Sequence, residues 1–430
     1  ELTPELAFQL GRAGAHVLVG KQGAAAGNGR IIVGRDTRVS GAMLEAALVA
    51  GITSTGVQVE LLGVTPTPGI AYLIRNLKAD AGVMISASHN PVADNGIKFF
   101  DADGYKLTDE VEDEIESYLE SEEVARPVGL AVGRVLHREK ADNEYAEFLV
   151  TTAGRSFAGT TVVLDCAFGA TYRVAHQVFA ELGARVIPLH NQDDGSRINV
   201  RCGSTHPEVL QEEVVRRGAQ AGFAYDGDGD RVIAVDEKGE VVDGDEIMGI
   251  CGLHLMADGR LPHNAIAVTV YSNLGLIETF QEAGGRVVIT DNGDRKVLAA
   301  MREKGLVLGG EQSGHVIFLE HNSTGDGILT SLQLMTALLQ AGQPLSVLKK
   351  KIRKFPQVLE NVRVEQPVDL LAEDQHAARE RCQTDEAHQA KPEVAVKQGD
   401  QAAWPHGAPL GTGVIAPVSG LNPCARFQST

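Results

Sequence analysis

The chain has 430 residues, 43% hydrophobic and 22% charged, a composition that excludes wholesale disorder, a collagen-like repeat and a small disulfide-stapled scaffold. At roughly 100 to 200 residues per domain, that length favours about two to four domains. Fifty-seven acidic against 39 basic side chains give a formal charge of −18, which opposes nonspecific binding to nucleic acid or to an anionic membrane surface.

Thr3 followed by Pro4 reads as a helix N-cap and first helical residue, with Leu6, Leu10, Ala13 and Val17 on one face. Strands are expected at 31–33, 57–62 and 82–85, with a helix over 42–53. The pattern returns with strands at 161–164, 186–189 and 221–224 and helices near 170–182 and 207–217. It returns a third time with strands at 265–270, 286–289 and 306–308 and helices near 276–283 and 294–302. Short, nearly continuous apolar runs suit strands buried on both faces of a mainly parallel sheet. Three successive α/β units with mixed sheets are therefore expected. After Phe355-Pro356 the composition turns to Gln, Ala, Glu, Asp and His with little apolar periodicity, which predicts a weak or partly disordered fourth region.

The five cysteines, Cys166, Cys202, Cys251, Cys382 and Cys424, include no CxxC pair, and an odd number cannot all pair within the chain, so a reducing compartment is expected. No apolar run reaches the roughly 18 residues that span a bilayer, and no signal-peptide core opens the chain, so a cytoplasmic location is expected. Asn322-Ser323-Thr324 matches a glycosylation triplet, discounted on compartment. The chain begins at Glu1 without Met, as a fragment would.

The last strand of each unit runs into a polar, small-residue loop: Ser86-Ala-Ser88-His89-Asn-Pro91, Asp226-Gly-Asp228-Gly-Asp230-Arg231 and Gly310-Glu311-Gln312-Ser313-Gly-His315. Ligand sites in open α/β sheets lie at such strand ends, so the three loops would share one cleft. In the second loop an extended backbone would aim Asp226, Asp228 and Asp230 to one side. Unit charges about 4 Å apart at an effective dielectric near 20 repel by roughly 4 kcal/mol per pair, so a cation or protonation must relieve them. Hard oxygen ligands favour Mg²⁺. A calcium EF-hand loop would place Glu237 at its twelfth position, but Arg231 stands where that loop needs Gly, and 232–235 reads as a strand. A plain Asp-Gly turn is the other alternative.

Ser88, with Lys98 ten residues on, is a candidate phosphoryl carrier. On spacing alone a Ser/Asn turn that satisfies its own backbone is equally open. Together with a metal loop and a nearby cation, the serine supplies the parts of phosphoryl transfer. Glu311, Ser313 and His315 alternate, and in an extended segment would present acceptor, hydroxyl and imidazole to a polyhydroxylated ligand; a solvated connector is the alternative. Gly34-Arg35-Asp36-Thr37-Arg38 offers either cations for the ligand or a structural ion pair.

Taken as a set, these three loops and Asn95-Gly-Ile-Lys98 resemble the α-D-phosphohexomutases. Among them the chain looks most like the bacterial phosphoglucosamine mutases, through Gly34-Arg-Asp-Thr-Arg38, Cys202-Gly-Ser-Thr-His-Pro207, Ser272-Asn-Leu-Gly-Leu276 and Gly293-Asp-Arg295. The similarity runs from Glu1 to about Val364. It implies four domains around a central cleft: a phosphoserine domain at 1–138, a metal-binding domain at 139–238, a sugar-recognition domain at 239–354 and a smaller, degenerate or truncated α+β phosphate-binding domain at 355–430. It further implies phosphorylation of Ser88 and one Mg²⁺ held by Ser88, Asp226, Asp228 and Asp230. Lys98 and Arg231 would flank the transferring group, and His89 or Lys98 would act as acid or base. Glu311, Gln312, Ser313 and His315 would bind the sugar.

The reaction so implied interconverts glucosamine 6-phosphate and glucosamine 1-phosphate, with glucosamine or glucose 1,6-bisphosphate as primer, on the route to UDP-N-acetylglucosamine. The implied partners are the sugar phosphate, an activating kinase or self-phosphorylation, and a second copy in a homodimer. The family's distal phosphate loop, Arg-Pro-Ser-Gly-Thr-Glu-Pro and a following Arg, is matched between Pro417 and Arg426 only at Ser419, Gly420, Pro423 and Arg426. Pro417, Leu421 and Asn422 remove a cation and two hydrogen-bonding side chains, so weaker distal phosphate binding is expected. The family's segment Phe-Gly-Thr-Asp-Gly-Ile-Arg-Gly finds no match, and the chain stops before the final helix. Phosphoglucomutase or phosphomannomutase activity and a noncatalytic sugar-phosphate-binding homologue are the competing expectations.

Overall fold

The fold is that of a computed structural model, which describes residues 2–20, 29–119, 121, 124, 126–361 and 413–417. The chain divides into two compact units, Glu1–Arg353 and Lys354–Thr430. Helix α1 (Pro4–Leu18) starts as its sequence predicts, with Thr3 Oγ1 accepting from Leu6 N–H at 3.3 Å. It precedes the first sheet, made of β1 (Arg30–Arg35), β2 (Gln58–Val64), β3 (Ala81–Ile85), β4 (Ile97–Phe100) and β5 (Val135–His137), with α2 (Gly41–Thr53), α3 (Thr67–Leu77) and α4 (Asp109–Ser117) in the connections. The strand order is β4-β3-β1-β2-β5, and β4 alone is antiparallel to its neighbour.

The second sheet follows α5 (Ala141–Ala153). It contains β6 (Thr161–Asp165), β7 (Arg185–Leu189), β8 (Ala221–Tyr225), β9 (Val232–Asp236) and β10 (Val241–Val242), with α6 (Val174–Glu181) and α7 (Glu208–Arg217), in the order β10-β9-β8-β6-β7. The third follows α8 (Gly244–Ala257) and orders β11 (Ala265–Thr269), β12 (Arg286–Thr290), β13 (Leu308–Gly310) and β14 (Val316–Phe318) as β12-β11-β13-β14. Its connections carry α9 (Leu274–Glu282) and α10 (Asp294–Lys304), and α11 (Gly327–Ala341) and α12 (Leu345–Lys349) come after it. In the second unit β15 (Gln357–Asn361) pairs antiparallel with β16 (Gly413–Pro417). No helix among the described residues is long and apolar enough to cross a membrane.

The three sheets share one design. A central parallel strand leads to one neighbour, the chain crosses back to the other side, and the third strand returns through a loop into an antiparallel strand: β3 to β4, β8 to β9, β13 to β14. Strands β3, β8, β9 and β11 are buried along their whole length, which is why their sequences are apolar without alternation. A single core joins the second and third sheets through Tyr145, Phe179, Phe223, Ile266, Ile328 and Leu332, while separate cores cover the two faces of the first. The first sheet docks by polar links and by aromatic stacking: Thr37 Oγ1 donates to Phe168 O at 2.6 Å, Ser323 Oγ to Gly104 O at 2.6 Å, and Tyr72 of α3 stacks on Phe148 of α5 with ring centroids 4.1 Å apart. The triplet at Asn322 is buried, with Asn322 Nδ2 donating to Pro68 O at 3.0 Å, so the folded chain does not offer it for glycosylation.

Asp326 caps α11, its Oδ1 accepting from Leu329 N–H at 2.9 Å, and the buried Tyr145 hydroxyl donates to Oδ2 at 2.6 Å. Tyr145→Phe keeps the ring but withdraws a donor from a buried carboxylate, so thermal denaturation should show a loss of about 1–3 kcal/mol. An unchanged melting temperature would contradict this role.

Candidate active site

The Ser88 loop leaves β3, and its backbone is held from inside the protein. Asp36, fully buried at the end of β1, accepts from the Ser86 hydroxyl at 2.6 Å, and Ser86 Oγ accepts from Ser88 N–H at 2.9 Å. Arg38, 1% exposed, donates its Nε to Asp36 Oδ2 at 3.0 Å. Its two remaining nitrogens donate to four carbonyls of the loop: Ser88 at 3.1 Å, Asn90 at 2.9 Å, Pro91 at 2.5 Å and Asp94 at 2.9 Å. All five donors of a planar fork are thereby used, a pattern that a lysine ammonium cannot supply. Of the two roles left open by Gly34-Arg-Asp-Thr-Arg38, Asp36 and Arg38 take the structural one. Ser88 itself has φ +51, a left-handed conformation that costs a side-chain-bearing residue roughly 1–2 kcal/mol. The surrounding bonds hold it there.

The acidic loop follows β8. It is a turn rather than the extended segment expected: Gly229, at φ +75, donates its N–H to Asp226 O at 3.2 Å. The carboxylates converge nonetheless, with one oxygen of each of Asp226, Asp228 and Asp230 within 4.8 Å of the others and all three side chains buried. The Ser88 hydroxyl donates to Asp226 Oδ2 at 2.5 Å, so residues 138 positions apart in sequence meet. Lys98, on β4, donates to Asp228 Oδ2 at 2.6 Å, and Thr67 Oγ1, at the start of α3, donates to the same oxygen at 2.6 Å. Glu237 is remote from this cluster in function, because its carboxylate accepts from Ser346 N–H at 3.1 Å at the start of α12. That disposes of the EF-hand alternative.

Burial and the neighbouring Asp230 and Asp228 push the Asp226 carboxyl well above the usual carboxylate range. Burial acts the same way on Asp228 and Asp230 but is outweighed, by Lys98 and Thr67 for the first and by His315 and Lys98 for the second, so both are held low. Burial opposes a charge on Lys98, yet the three carboxylates hold its ammonium above the ordinary lysine range. Two buried oxygens, Asp228 Oδ1 and Asp230 Oδ1, have no hydrogen-bond partner. Orphaned anionic oxygens inside a protein are costly, and a hard dication is the group that satisfies them. The donor set therefore fits a divalent metal.

Other expected residues divide. His89 Nδ1 lies 3.4 Å from Ser88 Oγ, and burial and Arg231 lower its pKa. Arg231 donates its backbone N–H to Asp226 at 3.2 Å, and its Nε stands 3.9 Å from Asp230. The Glu311 segment is not extended. Gly314, at φ +93, donates back to Glu311 O at 3.1 Å, so Ser313 is exposed, with Oγ 3.4 Å from Glu311 Oε2, while Gln312 O accepts from Gly244 N–H at 3.0 Å. His315 does not share their face, which corrects the expected alternation. It is 2% exposed, its Nε2 accepts from Gly325 N–H at 3.1 Å, and its Nδ1 faces Asp230 Oδ2 at 3.6 Å. Asp294, beside Lys106 from the segment between β4 and α4, completes this line of charges. Ser419, Gly420 and Arg426 lie outside the described residues.

Sequence reasoning missed Thr67 and Asn199. Thr67-Pro68 carries only a helix-start signal, and Asn199 carries none, being a left-handed residue at φ +61 whose amide reaches Ser88 through the fold.

Sequence profiles of phosphoglucomutase/phosphomannomutase α/β/α domains I, II and III match residues 1–126, 143–239 and 243–355. The chain belongs to that family, the phosphohexomutases whose fold and loops it displays. Its relatives include the phosphoglucosamine mutase of Moorella thermoacetica, 59% identical over 365 residues that cover 84% of this chain and 81% of the relative. That of Desulforamulus reducens is 55% identical over 366 residues, covering 85% and 82%. A solved phosphoglucomutase/phosphomannomutase family protein from Burkholderia thailandensis matches with a TM-score of 0.73 at 26% identity, covering 83% of this chain and 77% of its own.

The backbone of the acidic loop touches the serine loop at Gly227, where a Cβ would fall 2.6 Å from Ser88 O and 2.9 Å from Ile198 Cδ1. Gly227→Ala should therefore lower stability by about 1–3 kcal/mol through overpacking. A urea midpoint equal to that of the parent would show that the two loops are not in contact.

Proposed function

We propose that the protein is an isomerase that interconverts glucosamine 6-phosphate and glucosamine 1-phosphate by passing a phosphoryl group through Ser88, supplying the precursor of UDP-N-acetylglucosamine in the cytoplasm. The observation that carries the reading is the meeting of the Ser88 hydroxyl with a buried carboxylate trio that retains two unsatisfied oxygens. Preference for the glucosamine substrate rests on the relatives at 59% and 55% identity, which are phosphoglucosamine mutases.

In the first half-reaction the sugar O1 attacks the phosphorus carried on Ser88. The O1–P bond forms as the P–Oγ bond breaks, the O1 proton passes to a base, and Oγ is left as the serine hydroxyl after reprotonation. His89, whose imidazole is held low, would take the O1 proton, the Lys98 ammonium would return one to Oγ, and Lys98 and Arg231 would stabilise charge on the transferring oxygens. The 1,6-bisphosphate so formed turns in the cleft and returns its 6-phosphoryl group to Ser88, leaving glucosamine 1-phosphate with no net phosphate consumed. Glu311 and Ser313, with Gln312, would hold sugar hydroxyls. Asp226, Asp228 and Asp230, with the Ser88 phosphoryl oxygens, would hold one Mg²⁺. When bound, that ion supplies Lewis-acid neutralisation of phosphoryl charge. A phosphoserine of about −1.5 to −2 charge next to three carboxylates requires such a counterion. In the same reading residues 1–138, 139–238, 239–354 and 355–430 form the four functional domains.

Ser88→Ala should reduce glucosamine 1-phosphate formation to background in a coupled assay primed with glucosamine 1,6-bisphosphate, with the fold intact by circular dichroism; turnover at the parent rate would sink the assignment. Asp228→Asn should weaken Mg²⁺ binding by roughly 10- to 100-fold or more, the scale at which even residues supporting a metal ligand act. Calorimetry that returned the parent affinity would remove Asp228 from the metal site.

A further inference from the structure

The carbonyl of Ser88 is a point at which three separate parts of the chain converge. Arg38 donates to it at 3.1 Å from the loop after β1. Asn199 Nδ2 donates to it at 2.8 Å, and to Asn90 O at 3.1 Å, from the loop between β7 and α7. Gly227 leaves room for both, since a Cβ there would fall 2.6 Å from the Ser88 oxygen and 3.0 Å from the Asn199 amide nitrogen. Arg38 belongs to the first sheet, as Ser88 does, and so holds the loop however that sheet is placed. Asn199 belongs to the second sheet, as do the three carboxylates that face the Ser88 hydroxyl. The Asn199 bonds therefore form only when the phosphoryl carrier and the acidic loop are in register.

The local backbone of Asn199 is specialised for this reach. Its φ is +61, its N–H donates to Ala167 O at 3.0 Å, and Ala167 and Phe168 are themselves left-handed at φ +54 and +53. Ala167 N–H is in turn fixed by Asp165 Oδ1 at 2.9 Å, and Phe168 O accepts from Thr37 of the first sheet at 2.6 Å. Non-glycine residues gathered in this conformation persist only where the surroundings over-determine them. Asparagine is the side chain that both tolerates the left-handed region and places two amide donors at its end.

We propose that Asn199 is a positioning residue for phosphoryl transfer at Ser88: its amide, carried by the second sheet, fixes the Ser88 and Asn90 carbonyls and so sets where the Ser88 oxygen stands relative to the acidic loop. This rests on the reading of Ser88 as the phosphoryl carrier. Asn199 touches neither the reacting oxygen nor the carboxylates, so it acts through the backbone, and its loss should change the rate of transfer more than the binding of sugar phosphate.

Two variants test it. Asn199→Gly keeps the left-handed backbone and removes the amide; Asn199→Asp keeps shape and backbone preference but turns an acceptor toward two carbonyl oxygens. Each is compared with the full-length parent by mass analysis of Ser88 phosphorylation and by steady-state assay, with kcat expressed per phosphorylated serine. We expect kcat to fall roughly 10- to 100-fold in the glycine variant, the scale of a small misplacement of reacting groups, and further in the aspartate variant, with KM for glucosamine 6-phosphate within about twofold of the parent. A glycine variant with parental kcat per phosphoserine, whatever its melting temperature, would overturn the inference, as would an effect confined to KM. A parent enzyme that neither carries phosphate on Ser88 nor forms product would overturn the underlying reading, and the inference with it.

Discussion

Three carboxylates buried within one turn are held together against their own repulsion. Two means of relief are visible in the protein itself. Lys98 and Thr67 bring donors from the first sheet to Asp228, and His315 stands beside Asp230 from the third. Neither saturates the cluster: Asp228 Oδ1 and Asp230 Oδ1 keep no hydrogen-bond partner, while the serine hydroxyl reaches Asp226 Oδ2. Burying charge without full compensation costs several kcal/mol, and such an arrangement survives only where the rest of the fold over-determines it. Part of the stability of the three-sheet unit thus goes to keeping one small volume electrostatically incomplete, as a cation site is.

The same constraint explains the rigidity around Ser88. In the proposed function Ser88 accepts and releases phosphate, and a group with that task cannot sit on a loose loop. Four guanidinium donors of Arg38, with a buried aspartate and the Ser86 hydroxyl, hold the loop's backbone and leave the Ser88 side chain free to point at the acidic turn. Backbone strain at Ser88 is compatible with this, because the bonds that impose it do not involve the hydroxyl.

Much of this was legible in the residues. Apolar runs without alternation marked the buried parallel strands, and the three polar loops announced where chemistry lies, because small residues and carboxylates have no reason to cluster after a core strand otherwise. What stayed hidden was direction. Alternating Asp-Gly and Glu-Ser-His patterns suggest extended chain with side chains to one side, but Gly229 and Gly314 turn the backbone, so the aspartates converge while His315 points inward. The edge strands were harder still. Strand β5 is exposed throughout and β10 has two residues, and neither offers the apolar signature that betrays β3 or β8. Asn199 and Thr67 act through contacts across more than 100 positions of sequence, and no local pattern encodes such a meeting.

Each chemical loop bridges a parallel strand and the antiparallel strand beside it, a return rather than a crossover. The helices that cover the sheets are attached elsewhere. At the third loop, where Glu311 and Gln312 are half-buried and Ser313 is exposed, side chains can therefore be exchanged without threading a longer path around a helix or altering the pairing behind it. The scaffold thus keeps the two loops that packing fixes, those of Ser88 and the acidic turn, apart from a third whose side chains are open to change.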